Sequence, residues 1–264
     1  MDDDERERLG ATFDRDAAGY DAGRPDYPPR AWDLVLDHLG LDDGDRVLEI
    51  GPATGQATGR LLASGAHVHA VEPGTELAAL LRRRFDGERL EVEIAPFESA
   101  VLRPPYDAIA AATSFHWVDP DVGVPRLREA LAPGGRLALW WNIHRDPDAA
   151  VADPIDTLVR STTRLPNTRG LDGILDELAL PERLRTAGFT DVRSRVVRWT
   201  ITHDEASIVA LFRSFSDMRS RSAEEQARVY DALRTLVRDH GGTIERPATT
   251  PVLTATRAGD PTGA

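Results

Sequence analysis

Two carboxylates and two glycines carry the most specific chemistry in this chain. Gly51 and Gly55 stand in Arg46-Val47-Leu48-Glu49-Ile50-Gly51-Pro52-Ala53-Thr54-Gly55-Gln56, directly behind a short apolar run. Glu72 closes the next apolar run, Ala66-His67-Val68-His69-Ala70-Val71. Glycines at a strand end let the backbone turn sharply and lie close to a ligand, and a carboxylate about 20 residues on can accept hydrogen bonds from ribose hydroxyls. Each feature alone also suits a tight structural junction. Together they point to a nucleoside site.

The details of the turn decide which nucleoside. A dinucleotide fingerprint, G-x-G-x-x-G, uses its second glycine to bring the chain against a pyrophosphate. Here Ala53 holds that position and Pro52 has no N–H to offer. Glu49, two positions before Gly51, suits a ligand end that is positively charged rather than a phosphate. S-adenosylmethionine fits, with an ammonium, a sulfonium and a ribose but no phosphate.

The elements that must position these groups follow from periodicity. Strand 1 is expected over Arg46 to Ile50, a helix over Gln56 to Ala63, strand 2 over Ala66 to Val71 and a helix over Thr75 to Phe85, with Pro73-Gly74 as the turn. Strand 3 covers Leu90 to Ile94, strand 4 Tyr106 to Ala111, a helix Gly123 to Leu131 and strand 5 Arg136 to Trp141. Alternating strands and helices imply a Rossmann-like, seven-stranded, mostly parallel sheet with helices on both faces and a reversed last strand. An open sheet of this kind keeps its ligand at the carboxyl ends of its strands, so Ser114-Phe115-His116-Trp117 after strand 4 faces the same crevice as Gly51 and Glu72. Trp140 and Trp141 point to opposite faces of strand 5, so at most one looks into that crevice. Asn142 and His144 follow at the strand's carboxyl edge.

At these residues a family resemblance becomes visible. Leu48 to Gln56 resembles the first motif of class I S-adenosylmethionine-dependent methyltransferases, and Val71-Glu72-Pro73 resembles their second. Tyr20 to Pro28, Ser114 to Pro120 and Leu131 to Leu139 narrow it to the trans-aconitate-methyltransferase-like branch, which methylates small molecules. The resemblance runs from about Phe13 to Asn142. It implies S-adenosyl-L-methionine as cofactor, S-adenosyl-L-homocysteine as product, and cofactor contacts from Glu49, Gly51, Pro52, Ala53, Gly55, Gln56, Glu72, Pro73 and Ser114. It also implies that the N-terminal segment folds over the methionine end, where Tyr20 and Arg24 would touch the amino-acid carboxylate or the substrate; otherwise Tyr20 packs the lid and Arg24 stays in solvent. Relatives recognise adenine with an acidic residue where Pro96 stands here, so Glu98 replaces it or Phe97 and main chain hold the ring. The resemblance puts His116 and Trp117 near the reacting methyl. His116 is then a general base if the nucleophile arrives protonated, and a positioning group if the acceptor is a carboxylate. Trp117 and the Tyr20 to Tyr27 segment would wall the cationic sulfonium.

Four parts are expected: residues 1–40 as lid and first helix, 41–144 as the cofactor-binding core, 145–180 as a substrate cap, and 181–264 completing the sheet with a helical insertion. Asp153 to Leu165 suggests a helix that Pro166-Asn167-Thr168-Arg169-Gly170 breaks. Pro181 to Ala187 suggests a helix and Phe189 to Ile201 a long strand. Asp204 is a plausible N-cap for a helix reaching about Phe215, Ser222-Ala223-Glu224-Glu225 reads as a capping box, and Thr243 to Arg257 as strand 7, with Pro247 and Pro251 confining regular pairing to its second half.

A net charge of -12 argues against a nucleic-acid partner, which asks for a basic face. All 32 basic residues are arginine, so a lysine Schiff base or lysine base is unavailable, and the absence of cysteine removes disulfides and thiolate chemistry. Met1-Asp2-Asp3-Asp4-Glu5 is unlike a signal peptide, and no apolar run has the length of a membrane span. The expectation is a cytoplasmic monomer or homodimer acting on a small-molecule substrate, with no metal. Two other functions remain open: a non-catalytic protein binding S-adenosylmethionine or a metabolite on the same fold, and a nicotinamide-dependent oxidoreductase, against which Pro52 and Ala53 speak.

Overall fold

The computed structural model describes residues 23–87, 89–145, 154, 155, 157, 158 and 174–259. Helix α1 (Pro29–Leu39) opens with proline in its first turn, where a missing N–H costs nothing, and stops at Gly40 in the left-handed conformation, whose N–H reaches the Leu36 carbonyl. Ala31, Trp32, Val35 and Leu39 form its buried stripe, and Leu36 is only partly covered. There follow β1 (Arg46–Ile50), α2 (Thr58–Ala63), β2 (His67–Val71), α3 (Thr75–Arg84), β3 (Leu90–Glu93), β4 (Tyr106–Ala112), α4 (Pro120–Ala130) and β5 (Leu131–Trp140). After the segment 146–173 come α5 (Ile174–Glu177), α6 (Leu180–Thr186), β6 (Phe189–His203), α7 (Glu205–Arg213), α8 (Ser216–Arg219), α9 (Ala223–Asp239) and β7 (Ile244–Arg257).

The seven strands form one sheet in the order β3-β2-β1-β4-β5-β7-β6. β1 pairs in parallel with β2 on one side and β4 on the other, and β2–β3 and β4–β5 are parallel too. β7 runs antiparallel to β5, from Arg136 opposite Thr256 to Trp140 opposite Val252. The strand order reverses at β1, so the crevice at the carboxyl ends of β1 and β4 is the place where such a sheet binds ligands. β1 and β2 are buried beyond their first residue, so that Glu49 and His69 are enclosed together with the apolar residues beside them.

Local departures from the sequence reading have local causes. α2 begins at Thr58 rather than Gln56 because Ala53 (φ 49°) and Gly55 (φ 88°) keep the preceding residues in a turn. α4 begins at Pro120 because the Asp119 side chain accepts the Asp121 N–H and Pro120 fits the first turn. The helix after Asp204 is interrupted after Arg213, although its cap is formed, with Asp204 and Ser207 exchanging hydrogen bonds. Ser222 and Glu225 form the second capping box. Regular pairing of β7 with β5 starts at Val252, beyond both prolines. The helix expected over Asp153 to Leu165 falls largely outside the described residues.

The chain divides into two compact units, one of Tyr27–Trp141, Gly173–Val197 and Thr250–Ala264, the other of Met1–Asp26, Asn142–Asp172 and Arg198–Thr249. The core of the first packs α1 and α2 against the sheet through Trp32, Leu61, Val68, Ala110 and Trp140. That of the second gathers Ile208, Leu211 and Phe212 of α7 with Tyr230 and Leu233 of α9.

Candidate active site

The end of β1 and the turn behind it are shaped by backbone conformation. Gly51 adopts φ 61°, and a Cβ there would lie 2.6 Å from the Ser114 Cβ, so close approach and a left-handed φ both demand glycine. Gly55 is confined in the same two ways, with Phe85 and Leu81 against it. Ala53 also adopts φ 49°, an uncommon conformation for a residue with a Cβ. What holds it is Glu72: one carboxylate oxygen accepts the Ala53 N–H at 3.0 Å and the other the Gly74 N–H at 2.9 Å. Glu72 thus fixes the β1 turn and the β2 turn together. A carboxylate oxygen can accept more than one hydrogen bond, so a side chain that fixes a turn can also accept from a ligand hydroxyl. Pro73 beside it is exposed, Pro52 is buried and Gln56 is half-buried.

Glu49 is buried in the same place and meets a different environment. One oxygen accepts the Thr58 hydroxyl at 2.7 Å; the other, Oε1, is buried with no hydrogen-bond partner. Burial pushes its pKa up to about 8, the Thr58 bond opposing this and the nearby Glu72 charge adding to it. At neutral pH Glu49 is therefore mostly protonated. A cation arriving at Oε1 would supply the missing partner and favour the charged form.

At the end of β4, side chains do the positioning. Thr113 is held at φ 54°, costly for a β-branched residue, by its N–H to the Trp140 carbonyl (2.7 Å) and its hydroxyl against Tyr27 Oη (2.7 Å). Ser114 donates its hydroxyl to the Ile50 carbonyl, tying β4 to β1 beside Gly51. His116 and Trp117 sit in a short 3-10 turn (Phe115–Trp117), with their ring centroids 4.9 Å apart. The indole N–H of Trp141 donates to His116 Nδ1 at 3.2 Å. Trp140 instead packs edge-on to Trp32 and Tyr27 in the core. Phe97 is buried between Phe115 and the Arg126 guanidinium, and Glu98 accepts the Asp119 N–H at 3.0 Å, securing the loop that carries His116. Thr58, Thr113, Tyr27 and Trp141 had no signal in the sequence that assigned them these contacts.

Arg24 belongs to the other unit. Its guanidinium reaches the Ser214 carbonyl and His144 Nε2, each at 3.4 Å, and lies over the Phe215 ring. Asn142 donates to the carbonyls of Pro25 and Asp26. His144 is held well below the usual histidine range by burial, with Arg24, Arg246 and His203 adding to it. Tyr20 lies outside the described residues.

The donor set suits S-adenosylmethionine. A buried acidic oxygen of Glu49 without a partner suits an ammonium, Glu72 stands where a ribose would lie, and the turn has Ala53 in place of the glycine that brings a chain against a pyrophosphate. An uncharacterized methyltransferase of Mycobacterium tuberculosis is 31% identical over 239 residues, covering 89% of this chain and 89% of that protein.

The chain belongs to the class I S-adenosylmethionine-dependent methyltransferases.

A methyltransferase-domain profile matches residues 48–137 of this methyltransferase, the stretch from the middle of β1 into β5. The fold recurs in the phosphoethanolamine N-methyltransferase 2 of Haemonchus contortus, solved with S-adenosyl-L-methionine, at TM-score 0.59 and 14% identity over 96% of this chain. The methyltransferase spans 60% of that longer protein. It also recurs in the cyclase SpnF, at TM-score 0.52 and 18% identity, covering 90% of this chain and 84% of the other. At such identities the likeness is one of fold. Among the described residues, no helix is long and apolar enough to cross a membrane, and no group of three or more histidines and carboxylates could hold a metal ion.

Proposed function

We propose that this methyltransferase transfers the methyl group of S-adenosylmethionine to a small-molecule acceptor, as in the trans-aconitate-methyltransferase-like branch that its motifs resemble. The observation that carries the reading is Glu72, a buried carboxylate whose two oxygens organise the turns behind β1 and β2 at the carboxyl ends of the strands, where a ribose would sit. The sulfonium supplies an activated methyl group with its leaving group built in, so displacement breaks the carbon–sulfur bond as the acceptor's lone pair forms the new one. The chain's task is to hold the acceptor atom in line, about 3 Å from the methyl carbon, and to keep water out.

In this assignment Glu49 takes the ammonium, with Gly51, Pro52, Ala53, Gly55 and Gln56 forming the wall of the methionine end. Glu72 and Pro73 flank the ribose. Phe97 lends an apolar side to the adenine pocket and Glu98 keeps one oxygen for its amino group. Ser114 fixes the floor between β1 and β4, and His116 and Trp117 line the methyl's approach. A small acceptor is also favoured by the net charge of -12, which opposes a polyanionic partner.

Titrating the protein with S-adenosylmethionine in a calorimeter tests the reading, with NADH as control. Micromolar binding of the first alone, lost in Glu72→Ala, is the expected result; no heat with folded wild-type protein would overturn the reading. Labelled-methyl transfer to a panel of small carboxylic acids, amines and phenols, beside RNA and protein, then tests the acceptor class.

A further inference from the structure

The hydrogen bond between Trp141 and His116 fixes more than the position of a ring. An indole N–H donates and cannot accept, so the atom it meets, His116 Nδ1, must present a lone pair. A neutral imidazole carries its single proton on the other nitrogen. We infer that Trp141 is a positioning residue that holds His116 as the Nε2–H tautomer, making His116 a hydrogen-bond donor in methyl transfer and not its general base. The inference rests on the proposed placement of His116 beside the reacting methyl only for its catalytic consequence.

To take a proton at Nε2, His116 would first need that nitrogen bare, which moves its proton to Nδ1. Two N–H groups would then face each other across 3.2 Å. The imidazolium formed after proton transfer would keep the same clash. Trp141 is fully buried, and its main-chain N–H is anchored to the Pro251 carbonyl, so the indole has no solvent to turn towards. Both states that a base must visit therefore strip a buried donor of its acceptor. The donor state costs nothing of the kind.

This assignment narrows the acceptor. Its nucleophilic atom arrives with a lone pair already available, as in a carboxylate, a phenolate, an enolate or an unprotonated amine, and His116 Nε2–H orients an oxygen or nitrogen of the acceptor without removing a proton. In the balance of the step, the new bond forms from the acceptor's lone pair, the carbon–sulfur pair returns to sulfur, and the Nε2 proton stays where it was.

The test is two-bond proton–nitrogen correlation of protein labelled with nitrogen-15 in histidine, at neutral pH. The His116 ring is identified by its disappearance in His116→Gln. A protonated Nε2 with an unprotonated Nδ1 in wild type, changing to a tautomer mixture in Trp141→Phe, is expected. A protonated Nδ1 in wild type, or a pattern that Trp141→Phe leaves unchanged, would overturn it. Should Trp141→Phe fail to fold, the indole N–H resonance of Trp141 in protein labelled with nitrogen-15 in tryptophan decides the same question: it must move in His116→Ala, which removes the acceptor, and an unmoved resonance would overturn the inference. Once an acceptor is found, His116→Gln, which retains a donor and no base, should keep kcat within about tenfold, whereas His116→Ala should lose roughly a hundredfold. Neither spectrum depends on cofactor binding, so calorimetric silence towards S-adenosylmethionine would end the functional reading and leave the tautomer result standing.

Discussion

The carboxyl ends of β1 and β2 are organised by main chain, and the carboxyl ends of β4 and β5 by side chains. In the first region Gly51, Ala53 and Gly55 take left-handed conformations and Glu72 accepts two backbone N–H groups. In the second, Ser114, Thr113, Glu98 and His116 are each held through a side-chain contact. The first arrangement needs particular residues at particular spacing, because only they permit the backbone path. The second needs partners far apart in sequence, and each partner is one solution among several.

The largest effect should come from removing the group that organises the main-chain region. Glu72→Ala is expected to weaken S-adenosylmethionine binding by more than about a hundredfold, because charged hydrogen bonds to ligand and to both turns vanish together. Glu72→Gln retains an acceptor for only one of the two N–H groups and should fall between. Calorimetry of the three proteins would show whether the turn and the ribose contact separate. Next in size, Gly51→Ala places a Cβ against Ser114 at a φ of 61° and should lower stability by about 2–4 kcal/mol, read as a drop in Tm.

Glu49 sharpens the comparison, being a side-chain site inside the main-chain region. Its pKa stands at about 8, above an ordinary value of 4.5, so the folded protein holds this proton where the unfolded chain has released it. Stability from this group is intact below about pH 4.5 and declines as pH rises towards about 8, the reverse of a salt-bridged carboxylate. Glu49→Gln should flatten that decline and stabilise the ligand-free protein by on the order of 2 kcal/mol at pH 8. Binding of S-adenosylmethionine at pH 7 should release a proton in wild type and none in the variant, measurable from binding heats in buffers of different ionisation enthalpy. Smallest of all, Tyr27→Phe removes one neutral hydrogen bond to Thr113 and should cost about 1 kcal/mol in urea unfolding.

The same contrast explains what could be read in advance. The sheet, its reversed last strand, the Asp204 N-cap, the Ser222 capping box and the turns that carry Gly51 and Gly74 were legible, since hydrophobic period and turn residues are local properties. Trp140 and Trp141 were legible only as a pair on opposite faces; that Trp140 is core and Trp141 meets His116 depends on α1 and on the loop after β4, 25 residues before Trp141. Thr58 gives no sign that it will cap a carboxylate nine positions earlier. Ala53 and Thr113 adopt conformations their types disfavour, and strain imposed from outside a segment leaves no mark within it.

The division into two compact units bears on how the protein could be altered. The chain passes from one unit to the other after Asp26, Trp141, Asp172, Val197 and Thr249, and two of these passages lie within β6 and β7. Neither unit is a contiguous piece that could be cut out, expressed by itself or grafted onto a relative. Exchanging the unit that carries Arg24, His144 and α9 would mean replacing three stretches of gene at once, with two of the joints in the middle of a strand. Diversification of this unit is correspondingly easier by point substitution than by recombination.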